Sequence, residues 1–510
     1  MRVRHIAARA VVTAGAAILG LTATPQSARA QDLPLAQVLP HLILREIILD
    51  SPQVPPGTPG RLPGGATHTA HFSPIEANEL NNPVVGIVQA FNTQMATQFS
   101  TFPLGSSTGG LTYVFDESVG TFRRGSASFG PLFAERALTI GRRKLSVGFN
   151  YQRTSYDTFE GQNLDDGSIK FYLRHQDCCG FQDPTAGTGF MVRPDGIRGN
   201  PPFEGDVIEA SLSLMATTHT TAVFANWGIS DRWDVGLAVP FVRVNLDARV
   251  QALIVRLVTC STPRAVPVPA PETCSPDVHT FERGNPNATQ TVQHSGQASG
   301  LGDIVLRTKY HFLRAAGGGL AATVDVRLPT GDENELLGAG GAQAKFLLVA
   351  SNERGRFGQH VNIGYTAADG EVAGTLSGLI ASPLPDEINY SGGVEFVAGP
   401  RFTVMGDLVG RTLRGAGRLD LASKSFEYAA FQPDSPTAGP CFGFLGFICS
   451  SSSFDEFAPR SGNLTLLLGT GGVKFNPGGN LLISASVLFP LTDAGLRSRL
   501  TTVIGIDYAF

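Results

Sequence analysis

Residues 304–312, IVLRTKYHF, decide the fold, because bulky apolar and polar side chains alternate along them. Four apolar residues fall on one side of the extended chain, and Arg307, Lys309 and His311 fall on the other. The same period of two recurs at the end of the chain, in residues 504–510, IGIDYAF. Successive side chains of a β-strand point to opposite faces, so this pattern predicts strands with one apolar and one polar face.

The alternation, together with the turn-forming residues between alternating stretches, defines twelve strands. They are predicted near residues 141–156, 206–228, 231–252, 301–314, 318–328, 341–352, 357–368, 386–398, 400–412, 462–475, 479–489 and 498–510. The connections alternate strictly between short turns and long segments, and the longest are 157–205, 253–300 and 413–461. Outer-membrane barrels have short periplasmic turns on one rim and longer outer loops on the other, whereas a soluble sandwich has no reason to sort its loops in this way.

We therefore predict an all-β protein, a transmembrane antiparallel up-and-down β-barrel of about 12 to 14 strands, with 12 preferred, in the bacterial outer membrane. The barrel would comprise residues 141–510, with apolar faces against lipid and polar faces around a wet lumen. The lumen candidates are the charged or titratable residues of the polar faces, namely Arg307, Lys309, His311, Asp325, Arg327, Glu395, Asp407, Arg411 and Asp507. Both signs are present, so an alternative is that facing charges pair and hold a closed barrel together.

The composition excludes several classes of protein. Charged residues are 16% of the 510 residues and the formal net charge is −4, so the chain is neither basic enough for a nucleic-acid-binding protein nor polar enough for a disordered one. Glycine is abundant, with 60 residues, but shows no three-residue period, which excludes collagen. A basic start, an apolar run over residues 10–23 and the tripeptide Ala28-Arg29-Ala30 predict a signal peptide over residues 1–30.

The six cysteines fit an oxidising compartment and form no C-x-x-C pair. Cys260 and Cys274 flank a Pro-rich stretch, and Cys441 and Cys449 flank residues 442–448, so both pairs are candidates for disulfides that close loops. The adjacent cysteines at 178–179 bridge to each other or elsewhere, a choice that the sequence leaves open. Free thiols are the alternative for all six.

Residues 31–140 lack the alternation of the barrel, and we predict that they form a periplasmic or plug segment. Apolar residues between 82 and 100 follow helical spacing after an Asn-Pro pair that suits a helix start. This helix is interpreted as a plug in the lumen or a periplasmic partner helix, and the alternative is a helix packed against the barrel rim. A shorter helix is predicted within residues 35–49 and a short strand at 111–115.

The sequence contains no persuasive catalytic or metal-binding motif, so we predict that the protein is not an enzyme and has no cofactor or metal. Residues 105–109, GSSTG, match G-x-S-x-G, but the strand that should precede Ser107 is missing. A barrel hydrolase would also need a base, for which His219 and His311 are the candidates. The acidic turn 329–335, PTGDENE, offers oxygen ligands for calcium but lacks the twelve-residue loop pattern, so a hydrated loop tip is preferred.

The chain ends on Phe510 with Tyr508 two residues earlier, which resembles the aromatic signal that the barrel-assembly machinery reads in outer-membrane proteins. Residues 129–137 (FGPLFAERA), 300–310 (GLGDIVLRTKY) and 327–332 (RLPTGD) resemble the outer-membrane transporter-like family named after the meta-pathway of phenol degradation. The functional-amyloid export pore FapF belongs to the same broad group. The resemblance implies a barrel that acts as a passive pore or transporter. The resemblance to the export pore further implies a plugged barrel of twelve strands with an N-terminal helical region.

These observations lead us to expect an outer-membrane channel or passive transporter for small, apolar or aromatic solutes, gated or plugged by the N-terminal segment. The alternatives are a polypeptide export pore of the functional-amyloid type, a barrel hydrolase and a structural surface protein. The expected partners are outer-membrane lipid, the barrel-assembly machinery and a small solute. A homo-oligomer is left open, and no nucleic-acid partner is expected.

Overall fold

The protein forms a closed antiparallel barrel of twelve strands. The computed structural model describes residues 33–50, 83–100, 110–116, 118, 121–174, 206–257, 279–282, 285, 287–315, 317–372, 382–431 and 447–510. The barrel strands are β1 (Leu145–Tyr156), β2 (Val207–Gly228), β3 (Trp233–Val255), β4 (Val305–Ala315), β5 (Gly318–Arg327), β6 (Gly341–Arg354), β7 (Phe357–Val372), β8 (Glu387–Gly399), β9 (Phe402–Leu413), β10 (Leu464–Gly478), β11 (Leu481–Pro490) and β12 (Thr501–Ala509). Each strand pairs with its neighbours in this series, and β12 pairs with β1, so the barrel is closed. The prediction of a twelve-stranded up-and-down barrel is confirmed.

In the part of the barrel nearer the short turns, alternation along the strands separates an apolar outer face from a largely polar inner face. On β4, Leu306 and Tyr310 are 46% and 49% exposed, whereas Lys309 between them is 1% exposed. Exposed aromatic residues gather near the short turns, namely Trp227, Trp233, Tyr310, Phe357, Phe402 and Tyr508. An outward apolar band with an aromatic girdle is the exterior of a barrel that crosses the bacterial outer membrane, because lipid solvates such a surface better than water does.

The long connections are less simple than the sequence predicted, because three of them contain further strands. Residues Gln290–Leu301 pair with the half of β3 that lies nearer the long connections. Residues Ile169–Arg174 pair with the corresponding half of β2. Arg418–Phe431 and Phe447–Arg460 form a separate hairpin between β9 and β10. The connections at 157–205, 253–300 and 413–461 are long, as predicted, but the strands within them were not predicted. The strand Gln290–Leu301 is rich in Gln, Ser and Gly, so it carries no clear apolar face for a sequence pattern to reveal.

The barrel strands also differ in length, which matters for how far they extend past the membrane. β2 and β3 have 22 and 23 residues, whereas β12 has 9. The predicted start of the first strand at residue 141 was too early. Gly141 and Arg143 have positive φ angles of 110° and 57°, which are not compatible with an extended strand. The strand therefore begins at Leu145 rather than at residue 141.

Two helices precede the barrel in the chain, α1 (Val38–Leu44) and α2 (Pro83–Ser100), with a 3-10 turn at Leu35–Gln37 before α1. The α2 helix lies among the long connections, where the rings of Phe91 and Phe159 are 4.1 Å apart between centroids. These are the contacts of a helix at the rim of the long connections. None of the helices in the described part of the chain is long and apolar enough to cross a membrane.

Smaller strands complete the described elements. They are Tyr113–Asp116, Thr121–Arg124, Thr158–Phe159, Gln162–Asn163, Ser382–Pro383 and Leu496–Arg497. The first two pair with each other as a hairpin, and Tyr113 Oη donates to Asn480 Oδ1 in the β10–β11 turn at 3.0 Å. This hairpin thus lies at the short-turn end, opposite to α2.

Several predictions concern residues outside the described ranges. The signal peptide at 1–30, the G-x-S-x-G stretch with Ser107, and the cysteines at 178–179, 260, 274 and 441 belong to this group. Cys449 lies in the strand Phe447–Arg460, of which only the backbone is described at that position. The signal peptide and the disulfide pairs therefore remain predictions.

Candidate functional site

The nine charged or titratable residues predicted to line the lumen all lie on the inner face of the barrel. Lys309, His311, Asp325, Glu395 and Asp407 are buried there. The others border interior cavities and are Arg307, Arg327, Arg411 and Asp507. Because their outward-facing neighbours are exposed apolar residues, the alternation places these groups in the interior. Whether any of them contacts a solute remains a prediction.

A stretch of irregular chain, residues 126–140, crosses the interior near the short turns, and we call it the inner segment. Its central part is held by one carboxylate on β9. The backbone N–H groups of Leu132, Phe133 and Ala134 all donate to Asp407 Oδ2, with N···O distances of 3.0, 2.8 and 3.3 Å. A carboxylate that accepts three backbone N–H groups satisfies donors that would otherwise lie buried and unpaired.

Further strands hold the inner segment through its backbone. On β10, Lys474 Nζ donates to the carbonyl oxygens of Phe129 and Pro131, at 3.2 and 2.7 Å. On β7, Asn362 both accepts from the backbone N–H of Glu135 at 2.8 Å and donates to its carbonyl oxygen at 2.9 Å. The segment is therefore anchored by polar side chains of several strands on different sides of the barrel.

The Glu135 side chain joins the inner segment to an ion cluster on β4 and β5. Arg307 donates from Nη1 to Glu135 Oε1 at 2.5 Å, and its Nε and Nη2 donate to the two oxygens of Asp325, each at 2.6 Å. Lys309 Nζ lies 3.6 Å from Glu135 Oε2. Within this cluster, charges of opposite sign form ion pairs in the interior. Such pairing is the alternative that the sequence analysis gave for the lumen residues.

Arg136 is the most deeply buried charged group of the inner segment, with 0% exposure. Burial lowers the pKa of its guanidinium, while the carboxylates of Glu395, Glu353 and Glu135 act in the opposite direction. Glu395 in turn accepts from Ser128 Oγ at 2.7 Å and lies 3.0 Å from His360 Nε2. The cation thus lies among several inward-facing carboxylates, which hold the segment electrostatically as well as by hydrogen bonds.

A cavity of about 230 Å³ lies between the inner segment and the long-connection end of the barrel. One wall is apolar and consists of Val409, Leu466, Leu468, Leu488 and Leu496. Another is charged and includes Arg307, Asp325, Arg327 and Lys345. A cavity of ~150 Å³ holds benzene in another protein, so this one has room for a small aromatic molecule.

The far end of the cavity is bounded by the end of α2 and by the connection between β11 and β12. The rings of Phe99 and Tyr156 lie 4.7 Å apart between centroids, and both residues border the cavity. Arg497 also borders it and donates to Thr492 Oγ1 at 2.7 Å. Burial, and secondarily the nearby cation of Arg411, lowers the pKa of Arg497 to about 10, so its guanidinium stays charged at neutral pH.

The structure does not assemble the other sequence motifs into a site. His219 points outward and its Nδ1 lies 2.7 Å from Tyr151 Oη, whereas His311 is buried on the inner face, so the two do not meet. In the turn 329–335, the backbone N–H of Asn334 donates to Asp332 Oδ1 at 3.0 Å, as in an ordinary loop. Within the described residues, no group of three or more His, Cys, Asp or Glu side chains could hold a metal ion.

Sequence reasoning missed about half of the interior groups. Some of them, namely Asp234, Lys345, His360, Glu387 and Lys474, lie on predicted strands in the inward register, so the same alternation would have identified them. Glu353 lies one residue beyond a predicted strand. Glu135 and Arg136 are different, because they lie in irregular chain without a period. Their position depends on partners more than 170 residues away in the sequence, such as Arg307.

Solved outer-membrane barrels are similar to this chain only distantly. A Pseudomonas aeruginosa FadL homologue is 12% identical, with 79% of this chain and 95% of that chain covered and a TM-score of 0.28. The Ralstonia pickettii toluene transporter TbuX is 11% identical, with 74% and 91% covered and a TM-score of 0.29. The monoaromatic hydrocarbon channel CymD is 8% identical, with 72% and 89% covered and a TM-score of 0.28.

No protein-family model matches this chain, and no curated protein matches it either. Similarities to solved structures at this distance carry no argument about family or substrate. The resemblance to the family named after the meta-pathway of phenol degradation, and to its FapF-like group, therefore remains a prediction.

Proposed function

We propose that this protein is an outer-membrane channel for small apolar or aromatic solutes, and that the inner segment is its plug. The observation that carries the proposal is the cavity beside the inner segment, in which an apolar wall faces charged residues. A lumen that passed only ions and polar solutes would gain nothing from leucines facing inward on β10 and β11. An apolar solute would gain about 25 cal/mol for each Å² of its surface that these side chains cover.

The charged wall supports the same assignment in part, because some of its charges are compensated by ion pairs. Arg307 is paired with Asp325, and Arg411 Nη1 donates to Glu387 Oε1 at 3.2 Å. These ion pairs offer polar contacts without adding a strong field of either sign. The cavity therefore suits a neutral solute with an apolar body and a small polar group.

The way in which the inner segment is held supports its role as a movable plug. Its backbone is anchored by side chains such as Asp407 and Lys474 that can be hydrated when they are released. A plug held by such groups exchanges protein hydrogen bonds for water when it moves, and the net cost for each bond is about 1 kcal/mol. Among the described residues, apolar anchoring is limited to two small clusters. Phe129 packs with Leu111 and Leu482 in one, and Ala137 packs with Ala321, Leu347 and Val349 in the other.

Single-channel recording tests the proposal. Protein in a planar bilayer is exposed to benzyl alcohol, a neutral aromatic probe, and to erythritol, an acyclic polyol. We expect concentration-dependent interruptions of the ionic current by benzyl alcohol and none by erythritol at the same concentration. The double variant Leu466→Asn/Leu488→Asn, which makes the apolar wall polar, should shorten the interruptions.

The matched control is Leu246→Asn, since Leu246 is buried on the inner side of β3 but does not border the cavity. Each variant is first shown to keep the heat-modifiable migration of a folded barrel in gels. Equal interruption by both probes, or equal response of both variants, would contradict an apolar solute site.

We also propose that the last residues serve assembly. Tyr508 and Phe510 have exposed rings at the short-turn rim, with centroids 4.7 Å apart, and the backbone N–H of Phe510 donates to the carbonyl oxygen of Leu145 at 2.7 Å. Exposed rings at that rim are open to the barrel-assembly machinery.

No observation favours a polypeptide export pore, a hydrolase or a structural surface protein.

A further inference from the structure

Three basic side chains form a row on the outer surface of the barrel, across three neighbouring strands. Arg153 on β1 lies opposite His219 on β2, and His219 lies opposite Arg243 on β3 in the strand register. Directly opposite residues have Cβ atoms about 4.5–5.5 Å apart, so the three side chains are adjacent. We call Arg153, His219 and Arg243 the basic row.

The basic row lies at the edge of the apolar band, on the side of the long connections. From Trp233, in the aromatic girdle near the short turns, to Arg243 the chain advances ten residues along β3. At about 3.3 Å per residue and a tilt of about 40°, this is ~25 Å of height, which matches the ~25 Å apolar band of outer-membrane barrels. The row is therefore level with the headgroups of the outer leaflet.

The side chains just below the basic row are suited to lipid chains. One step toward the short turns, the register brings Tyr151, Thr221 and Phe241 side by side, and Phe241 is 44% exposed. The next outward step consists of Phe149, Val223 and Val239. The surface thus changes from apolar to basic within two steps along the strands.

The part of the chain that the structure describes does not neutralise the two arginines of the basic row. Among the described residues, neither Arg153 nor Arg243 has a carboxylate within ion-pair distance, and both are exposed. Arg243 Nη2 donates to Gln297 Oε1 at 2.7 Å, and Tyr151 Oη lies 2.7 Å from His219 Nδ1, so two members have a fixed orientation. The next acidic residue on the outer face of β3 is Asp247, four residues or about 13 Å along the strand.

We propose that the basic row binds the phosphorylated headgroup of an outer-leaflet lipid whose acyl chains lie on the apolar surface below it. Guanidinium groups bind phosphate through charge-assisted, bidentate hydrogen bonds, and two of them flank one imidazole here. The site is asymmetric around the barrel. On the far side, the outward residues at the corresponding end of β7 are Asp369 and Glu371, which would repel a phosphate.

Native mass spectrometry of the protein in detergent micelles tests the proposal. The probes are diphosphorylated lipid A and its fully dephosphorylated form. We expect a one-to-one complex with the diphosphorylated lipid, and binding about 25-fold weaker for Arg153→Gln/Arg243→Gln, since each basic residue near a lipid surface contributes ~5-fold. Where the double variant does not fold, each single variant should weaken binding about 5-fold.

The matched control is Arg249→Gln, since Arg249 is exposed on the same face of β3 but about 20 Å further from the membrane along the strand. The proposal is overturned if the control loses as much affinity as the row variants. It is also overturned if the wild type binds the dephosphorylated lipid equally well, or if millimolar inorganic phosphate alone is retained in place of the lipid. The ionic current of the row variants should equal that of the wild type, because neither arginine faces the lumen, so this test is independent of the channel proposal.

Discussion

Replacing Asp407 by alanine is expected to release the inner segment from the barrel wall. Asp407 Oδ2 accepts the backbone N–H groups of Leu132, Phe133 and Ala134, at 2.8 to 3.3 Å. Asp407 itself is 3% exposed, so these donors have no water to replace it while the segment stays in place. The alanine variant would therefore leave three buried donors unpaired unless the segment moves.

The size of the effect follows from the number of bonds. At about 1 kcal/mol for each hydrogen bond lost, three bonds amount to about 3 kcal/mol, or roughly 150-fold in the equilibrium between seated and released segment. The variant Asp407→Asn keeps one oxygen at the same place but loses the charge. Since a charge-assisted bond is about twice as strong as a neutral one, we expect roughly half of that free-energy change and about a 10-fold shift.

Two measurements check this prediction. The open probability in single-channel recordings should rise in the order wild type, Asp407→Asn, Asp407→Ala. Hydrogen exchange followed by mass spectrometry should show faster exchange in peptides that cover residues 126–140, with unchanged exchange in the barrel strands. The control is Glu387→Ala, which removes an inward carboxylate that binds Arg411 rather than the inner segment. If Asp407→Ala leaves both open probability and exchange at wild-type values, the carboxylate does not hold the segment.

Two further predictions concern the barrel wall and its rim. Gly410→Ala should lower the unfolding midpoint in urea by the equivalent of about 1–3 kcal/mol, because a Cβ at this position would lie 2.1 Å from the Tyr390 ring. The control is Gly406→Ala on the same face of β9. It should be nearly neutral, because the nearest atom to its Cβ would be 3.4 Å away. The pKa of Asp386 is held below its ordinary value, mainly by the hydrogen bond that Tyr365 Oη donates to it. The ionised carboxylate therefore stabilises the fold at a pH above the ordinary aspartate pKa of 3.8. This contribution is lost as the pH falls through the lower pKa that Asp386 has in the folded protein. Tyr365→Phe should raise the pKa of Asp386 toward 3.8 in a ¹³C-carboxyl NMR titration, and an unchanged titration curve would exclude the hydroxyl as the cause.

The barrel could be predicted from the sequence because its environment imposes a simple pattern. Lipid on one side and a polar interior on the other force the alternation seen in residues 304–312, and the sheet pairs neighbours in the chain. The strand Gln290–Leu301 was missed because neither of its faces meets lipid, so both remain polar. Pattern reasoning therefore works within the membrane and fails beyond it.

The candidate site was predictable only in part, for a similar reason. Charged groups on strands, such as Arg307 and Asp407, could be placed by register alone. The inner segment has no period, and its path depends on contacts with β4, β7, β9 and β10 that are far apart in sequence. No local signal in residues 126–140 indicates that Arg136 lies buried among carboxylates.

The unequal strand lengths have a consequence for how molecules reach this protein. About ten residues suffice for a tilted strand to cross the membrane, yet β2 and β3 have 22 and 23. The surplus of about twelve residues corresponds to some 40 Å of strand, and it is broadened by the paired segments Ile169–Arg174 and Gln290–Leu301. On that flank an ordered sheet extends well beyond the membrane surface. A molecule that approaches the cell from outside therefore meets ordered backbone before it reaches the lipid.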